Sequence, residues 1–154
     1  MVRVVLGVIV GYLVAAIVSM IGIVVVWSIL GASGAFKTGT VEASTPWSIG
    51  VLAGGFVAAI VGGLVAAVVG GARAGTAVKA LAGLILILGF AMAALQLAAP
   101  KPEPPDKDSA TFTFMEAGQY ARSPDWYNFL LPVVGAIGVL IGGGLRKGKA
   151  ADAT

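Results

Sequence analysis

The chain has 154 residues, of which 58% are hydrophobic and only 11% are charged, and its mean hydropathy is +1.00. In soluble globular domains roughly a quarter of all residues are charged, so this composition excludes that class and indicates an integral membrane protein. The sequence contains no Cys and no His, which removes disulfides, thiolate and imidazole metal sites, and every Cys or His nucleophile or base. We therefore expect no cofactor, no metal site and no enzymatic activity.

Four uncharged segments are long enough to cross a bilayer, which takes about 20 apolar residues in a helix. They cover residues 4–30, 47–72, 80–100 and 126–145. The first is too long for the apolar region of a signal peptide, which has about 7–15 residues. The sequence thus predicts an all-α membrane protein, a single transmembrane domain over 1–154. Its four transmembrane helices, at about 3–31, 46–72, 77–99 and 124–146, form a compact bundle with outer loops at about 32–45 and 100–123.

Lys and Arg residues near the helix ends predict the orientation. One side of the membrane receives six of them, and the other receives four: Arg3, Arg73, Lys79, Arg146, Lys147 and Lys149 against Lys37, Lys101, Lys107 and Arg122. Acidic residues have the opposite distribution, with only Asp152 on the first side. Both termini are therefore expected to be cytoplasmic. No basic stretch is interleaved with aromatic residues, so nucleic acid is not an expected partner.

The second and fourth helices share a start signal, a hydroxyl residue followed by Pro. Thr45 and Ser123 are the predicted N-caps, and the following Pro occupies the first helical position, where its missing N–H is not needed. Trp47, Trp126 and Tyr127 come directly afterwards. Aromatic residues concentrate at membrane interfaces, so these three are predicted interface anchors.

Small residues recur at a spacing of four in the first and second helices. The predicted helix-packing positions are Gly7, Gly11, Ala15 and Ser19 on the first helix and Gly50, Gly54, Ala58, Gly62, Ala66 and Gly70 on the second. A parallel stripe follows one residue later, at 55, 59, 63, 67 and 71. Small residues let helices approach closely in lipid, so the second helix is expected to be central. Two interpretations remain open, since the stripes either pack the chain's own helices or dock a helix of another chain.

The first outer loop is interpreted as a flexible connector, whereas the second contains the only sizeable polar region. The alternation over 111–114 predicts a short strand, and 116–122 is expected to form one or two helical turns. Phe112, Phe114, Met115 and Tyr120 give this loop more apolar surface than a solvated linker needs. They are interpreted either as resting on the membrane and capping the helices, or as a contact surface for a partner on the outer side.

Chemistry within the membrane is expected to be sparse, because the four uncharged segments contain no Asp, Glu, Lys or Arg. Such residues are the usual markers of ion paths and substrate sites in membranes. Gln96 and Asn128 lie near the outer interface, where water or headgroups can satisfy them. No catalytic, cofactor-binding or metal-ligating residue is predicted.

Three segments carry a family resemblance: the start of the first helix at 4–11, the Gly-Gly-Phe-Val second helix that ends near Arg73, and the Pro-Asp-Trp-Tyr-Asn start with a Gly-Gly-Gly-Leu-Arg finish. In these segments the chain resembles a loose group of small four-helix bacterial membrane proteins. The resemblance covers the helical part, implies a multi-pass protein of the bacterial inner membrane, and transfers no functional residue.

The leading functional hypothesis is a non-catalytic accessory or scaffold subunit of a larger integral-membrane assembly. The stripes and the aromatic outer loop motivate it, and its expected partners are the lipid bilayer and other membrane subunits. The alternative is a small homo-oligomeric channel or transporter. The sequence lacks the polar stripe or charged ring that is typical of such pores. A lipid-modifying enzyme comes third and has no candidate residues.

Overall fold

The computed structural model describes residues 1–100 and 102–151, with side chains as far as Arg146. Within these residues five α-helices follow one another: α1 (Val2–Ala35), α2 (Thr45–Gly70), α3 (Ala74–Ala98), α4 (Phe114–Tyr120) and α5 (Asp125–Ala151). Two short 3-10 turns lie at Gly71–Arg73 and Ser109–Thr111. Two isolated bridges occur, and the described residues contain no strand. Four residues used above for orientation fall outside this description, Lys101 and Asp152 entirely and Lys147 and Lys149 in their side chains.

Three helical segments within the described residues are long and apolar enough to cross a membrane: Val2–Ala35, Thr45–Ala98 and Asp125–Arg146. The protein is therefore all-helical and has the helices of an integral membrane protein. The middle segment changes direction where α2 meets α3. Gly71 has φ 60° there, a conformation that glycine adopts without strain. The turn brings the end of α2 back against the start of α3, where a Cβ on Gly70 would lie 2.9 Å from the Cβ of Ala77.

α2 lies between α1 and α5. α1 runs antiparallel to α2, because Gly7 lies against Ala66 near one end and Gly22 lies against Gly54 near the other. α5 runs parallel to α2 and antiparallel to α3. The buried core where these helices meet consists mainly of small residues: Ala59, Ala66, Ala67, Val78, Leu81, Ala82, Ala136 and Val139.

α1 extends four residues beyond its predicted end at 31, with a kink at Gly31 (φ 62°, ψ −176°). The segment that follows is tied back to α1. The Ser44 hydroxyl donates to the carbonyl of Gly34 at 2.5 Å, and the Ser44 N–H donates to the carbonyl of Ala35 at 2.8 Å. The interpretation of 32–45 as a flexible connector was therefore wrong. It overlooked the capacity of a short hydroxyl side chain to join a loop to a helix end.

The predicted helix caps were also displaced. The N-cap of α2 is Ser44 and not Thr45. The Ser44 hydroxyl accepts a hydrogen bond from the N–H of Trp47 at 3.2 Å. α5 begins at Asp125, so Ser123 lies outside the capping position. Residues 44 and 45 both carry a hydroxyl group, and the sequence alone does not show which of the two is the N-cap.

The short strand predicted over 111–114 was wrong. The 3-10 turn ends at Thr111, and Thr113 is the N-cap of α4 in a capping box with Glu116. The Thr113 N–H donates to the Glu116 carboxylate at 2.8 Å, and the Glu116 N–H donates to the Thr113 hydroxyl at 3.4 Å. A Thr-x-x-Glu pattern is a known start signal for helices, and it overrides two residues of apolar alternation.

Candidate functional site

The predicted packing residues of α1 and α2 lie against each other. A Cβ on Gly11 would lie 2.8 Å from the carbonyl oxygen of Gly62, and a Cβ on Gly62 would lie 2.7 Å from the Cβ of Ala15. Towards the other end, Gly50 faces Val26, and Gly54 faces Gly22. Ala58, Ala66 and Gly70 are buried, whereas Ser19 is half-buried beside a cavity described below.

The neighbouring stripe of α2 packs against α5. A Cβ on Gly63 would collide with the backbone of Val139, and one on Gly138 would lie 2.8 Å from the Cβ of Ala59. At the same end of the molecule the Arg146 guanidinium donates to the carbonyls of Ala67 and Val68. Both stripes of α2 are thus occupied by helices of the chain itself.

A third small-residue face, which the sequence reasoning missed, lies on α3 and has no neighbour among the described residues. Its members are Ala80, Gly83, Ala91, Ala94 and Ala98, and the exposed Ile87 interrupts the face between Gly83 and Ala91. A Cβ on Gly83 would meet nothing within 4 Å, and the four alanines are exposed. Between 87 and 98 only Ala93 is buried. The 3.6-residue period of the alanines was the signal available in the sequence.

The connecting segments form a cap over one end of the helices; we use "cap" for residues 36–44 and 109–122. Its core is Phe36, Phe112 and Ala117, packed with Ala35 at the end of α1. The rings of Phe36 and Phe112 meet edge to face at 5.7 Å. The opposite end of the molecule, which we call the basic end, contains Arg3, Arg73 and Arg146.

The four predicted outer-loop contact residues do not form one exposed surface. Phe112 is 4% exposed, and Tyr120 packs on its ring at 6.1 Å. The ring centres of Phe114 and Trp27 lie 5.5 Å apart, whereas Met115 is 72% exposed. Most of this aromatic surface therefore holds the cap on the helices.

The predicted anchors are placed differently from one another. Trp47 is half-buried and packs edge to face on Trp27 at 5.8 Å. Trp126 is 54% exposed, whereas the adjacent Tyr127 is 8% exposed. Of the three, Trp126 has the exposure of a residue facing headgroups.

A cavity of about 700 Å³, the cap cavity, lies between the cap and the helix ends. Its lining includes aromatic residues, namely Trp27, Phe36, Trp47, Phe114 and Tyr120. It also includes polar residues, namely Gln96, Gln119, Arg122, Ser123, Asp125 and Asn128. The cavity therefore presents apolar and polar walls together.

Arg122 is the cationic residue of the cap cavity among the described residues. Its backbone is fixed by two hydrogen bonds, since its N–H donates to the carbonyl of Val41 and its carbonyl accepts from the N–H of Ala43, each at 2.9 Å. The Nε atom of its side chain is buried and has no hydrogen-bond partner among the described residues. Sequence reasoning used Arg122 only as an orientation charge.

A second cavity of about 340 Å³, which we call the inner cavity, is a cleft between α1, α2, α3 and α5 that is open to the surroundings, since Ala16, Leu88 and Met92 on its walls are exposed. Its walls are mainly apolar and include Leu88, Met92 and Leu131. Gln96 and Asn128 line both cavities, so the two adjoin at these amides. The sequence had placed both amides at the interface without a role.

The ion pair between Lys107 and Glu116 supports the capping box, with Nζ and Oε1 2.6 Å apart. This hydrogen bond, followed by those from Thr113, lowers the pKa of Glu116 from 4.5 to about 2.

Because the folded pKa is depressed, the contribution of Glu116 to cap stability is expected to be complete above pH 4.5 and lost as the pH falls towards 2. An NMR titration of the Glu116 carboxyl in the Lys107→Met variant should show its pKa rising towards 4.5. Equal midpoints in the parent and the variant would contradict the assigned cause.

Comparison with protein-family models, with characterised proteins and with solved structures finds no match. Function is therefore inferred from the geometry alone. The arrangement joins a partly polar cavity to an apolar one in the half of the molecule that carries the cap.

Proposed function

We propose that the chain crosses the bacterial inner membrane four times, as a bundle with both termini cytoplasmic. The reversal at Gly71 supports this number, because it divides the 54-residue apolar segment into helices of 26 and 25 residues. A transmembrane helix requires about 20 residues, so each of these two helices is long enough to cross the bilayer. The collection of Arg3, Arg73 and Arg146 at one end supports the orientation, since basic residues favour the cytoplasmic side. The cap then faces outward.

Within that membrane, we propose that the protein is a non-catalytic accessory or scaffold subunit of a larger integral-membrane assembly. The exposed small-residue face of α3 carries this proposal. Lipid provides no hydrophobic force between helices, so close backbone approach through small residues is the main route to association. The stripes of α1 and α2 contribute nothing here, because helices of the same chain already cover them.

The exposed side chains of α1 support the same assignment of the docking face. They are bulky and include Ile9, Leu13, Ile17 and Ile21, each about half-exposed. Bulky aliphatic side chains fit a lipid-facing surface, whereas the alanines of α3 allow a partner helix to approach closely on either side of the exposed Ile87.

The alternative, a small homo-oligomeric channel, has less support. The two cavities lie in the half of the molecule nearest the cap. Towards the basic end, Gly63 and Gly142 bring the backbones of α2 and α5 into contact and leave no space between them. A path through one protomer would have to separate these helices.

Ala94→Leu is expected to weaken docking on α3 about tenfold, since an added side chain on a close helix contact typically costs about 1–3 kcal/mol. The matched control is Ala53→Leu, also an exposed alanine in an apolar helix. Mass analysis of protein extracted gently from its membrane should recover partner subunits with the parent and with Ala53→Leu, and fewer with Ala94→Leu. Recovery of the parent as a monomer would contradict the proposal, and a homo-oligomer would favour the alternative.

A further inference from the structure

Arg122 is the cationic residue that lines the cap cavity among the described residues, and its charge makes this cavity a place for an anion. The planar guanidinium fork matches carboxylate and phosphate oxygens in particular. The backbone of Arg122 is held at both its N–H and its carbonyl, so the side chain emerges from a fixed point in the cap.

The aromatic lining of the cap cavity and the mainly apolar walls of the inner cavity indicate that the rest of the ligand is apolar. Trp27 and Trp47 line the cap cavity, as Arg122 does, and the cavity adjoins the inner cavity at Gln96 and Asn128. The volumes of about 700 and 340 Å³ fall within the range of about 300–1,000 Å³ that small-molecule sites occupy. The polar end is near the cap and the apolar end is within the helices, which is the order of an amphiphile in a membrane.

We infer that the two cavities bind a single-chain amphiphile with an oxyanion head, the head at Arg122 and the chain passing between Gln96 and Asn128 into the inner cavity. A free fatty acid and a lysophospholipid both carry this chemistry. Asp125 also lines the cap cavity and gives the ammonium group of a zwitterionic lysophospholipid a partner. This inference does not depend on the docking face of α3, and its test uses the isolated chain.

The tryptophans supply the signal for a binding measurement. Trp27 and Trp47 line the cap cavity, whereas Trp126 does not and is 54% exposed. The Trp126→Phe variant therefore leaves the two cavity residues as reporters. Titration of this full-length variant with dibromostearate in a non-ionic detergent is expected to quench its fluorescence in a saturable way.

The head contact is tested by Arg122→Gln in the same background. It is expected to weaken binding of dibromostearate about tenfold, because a hydrogen bond to a charged group is lost. Arg73→Gln is the matched control, since it removes one charge at the basic end, away from both cavities. Equal affinities for the two variants, or equal quenching by the corresponding brominated alcohol, would overturn the inference.

The chain contact is tested separately, which covers the case that Arg122→Gln fails to fold. Ala16 is exposed and lines the inner cavity, so Ala16→Leu narrows that cavity without disturbing the cap. It is expected to weaken dibromostearate more than a short bromo-acid that fills only the cap cavity. Equal loss for both probes would contradict the placement of the chain.

Competition then distinguishes the two sources of the ligand. Oleate and a lysophosphatidylethanolamine are each titrated against bound dibromostearate. Stronger displacement by the lysophospholipid assigns the site to phospholipid products, and stronger displacement by oleate assigns it to free fatty acids. Displacement by neither would overturn the inference.

Discussion

Leucine in place of Gly142 is expected to force α5 away from α2 and to lower the free energy of unfolding by about 3 kcal/mol or more, at the upper end of the usual cost of overpacking. A Cβ at this position would collide with the carbonyl oxygen of Ile60, and its next neighbours are also backbone atoms of Ile60. Side chains can change rotamer to make room, but the backbone of a continuous helix moves only as a unit. The neighbouring contact between Gly63 and Val139 would be separated by the same movement.

Gly144→Leu provides the control for this change within the same helix. A Cβ on Gly144 meets nothing within 4 Å, and the residue is exposed. Both variants replace a helical glycine by a residue of higher helix propensity, so propensity alone favours each of them slightly. Unfolding in graded denaturing detergent, followed by tryptophan fluorescence, should separate a destabilised Gly142→Leu from an unaffected Gly144→Leu. Equal stability would show that α2 and α5 are not held at backbone contact.

The helices and the small-residue stripes could be predicted because both depend on local periodicity. Residues four apart lie near one another on a helix, so Gly54, Ala58 and Gly62 must share a face whatever the rest of the chain does. The matching stripe on the first helix indicated α1 as the partner of this face, but the sequence could not show that α5 meets the neighbouring stripe. That depends on how each helix is rotated, and the contact of Gly63 with Val139 joins residues distant in sequence.

The cap and its cavity were predicted less well, because they depend on long-range contacts. The backbone position of Arg122 is set by Val41 and Ala43, which precede it by two long helices. No periodic pattern links such residues. The capping box of Thr113 and Glu116 was readable locally and was overlooked in favour of the apolar alternation.

Phe112→Ala is the change expected to affect the cap most, by about 3–5 kcal/mol of local stability, the usual cost of truncating a buried Phe. Phe112 is 4% exposed and packs on the rings of Phe36 and Tyr120. The Lys107 ammonium also lies 5.4 Å from the centre of its ring. Its removal takes away contacts with both segments of the cap and with Lys107 at once.

The same variant separates the two interpretations of the aromatic loop. If Phe112 holds the cap, Phe112→Ala should speed tryptic cleavage after Lys107 and Arg122 while helical circular dichroism stays near that of the parent. Met115→Ala, at a residue 72% exposed, should leave cleavage unchanged. A contact surface for a partner would give the reverse result, with cleavage of the isolated chain unaffected by either change.

Opening the cap should also release the bound amphiphile, since Phe36, Phe114 and Tyr120 form part of the cavity wall. The stability of the cap and the occupancy of the cavity beneath it are therefore coupled, and a bound amphiphile should slow cleavage of the parent chain.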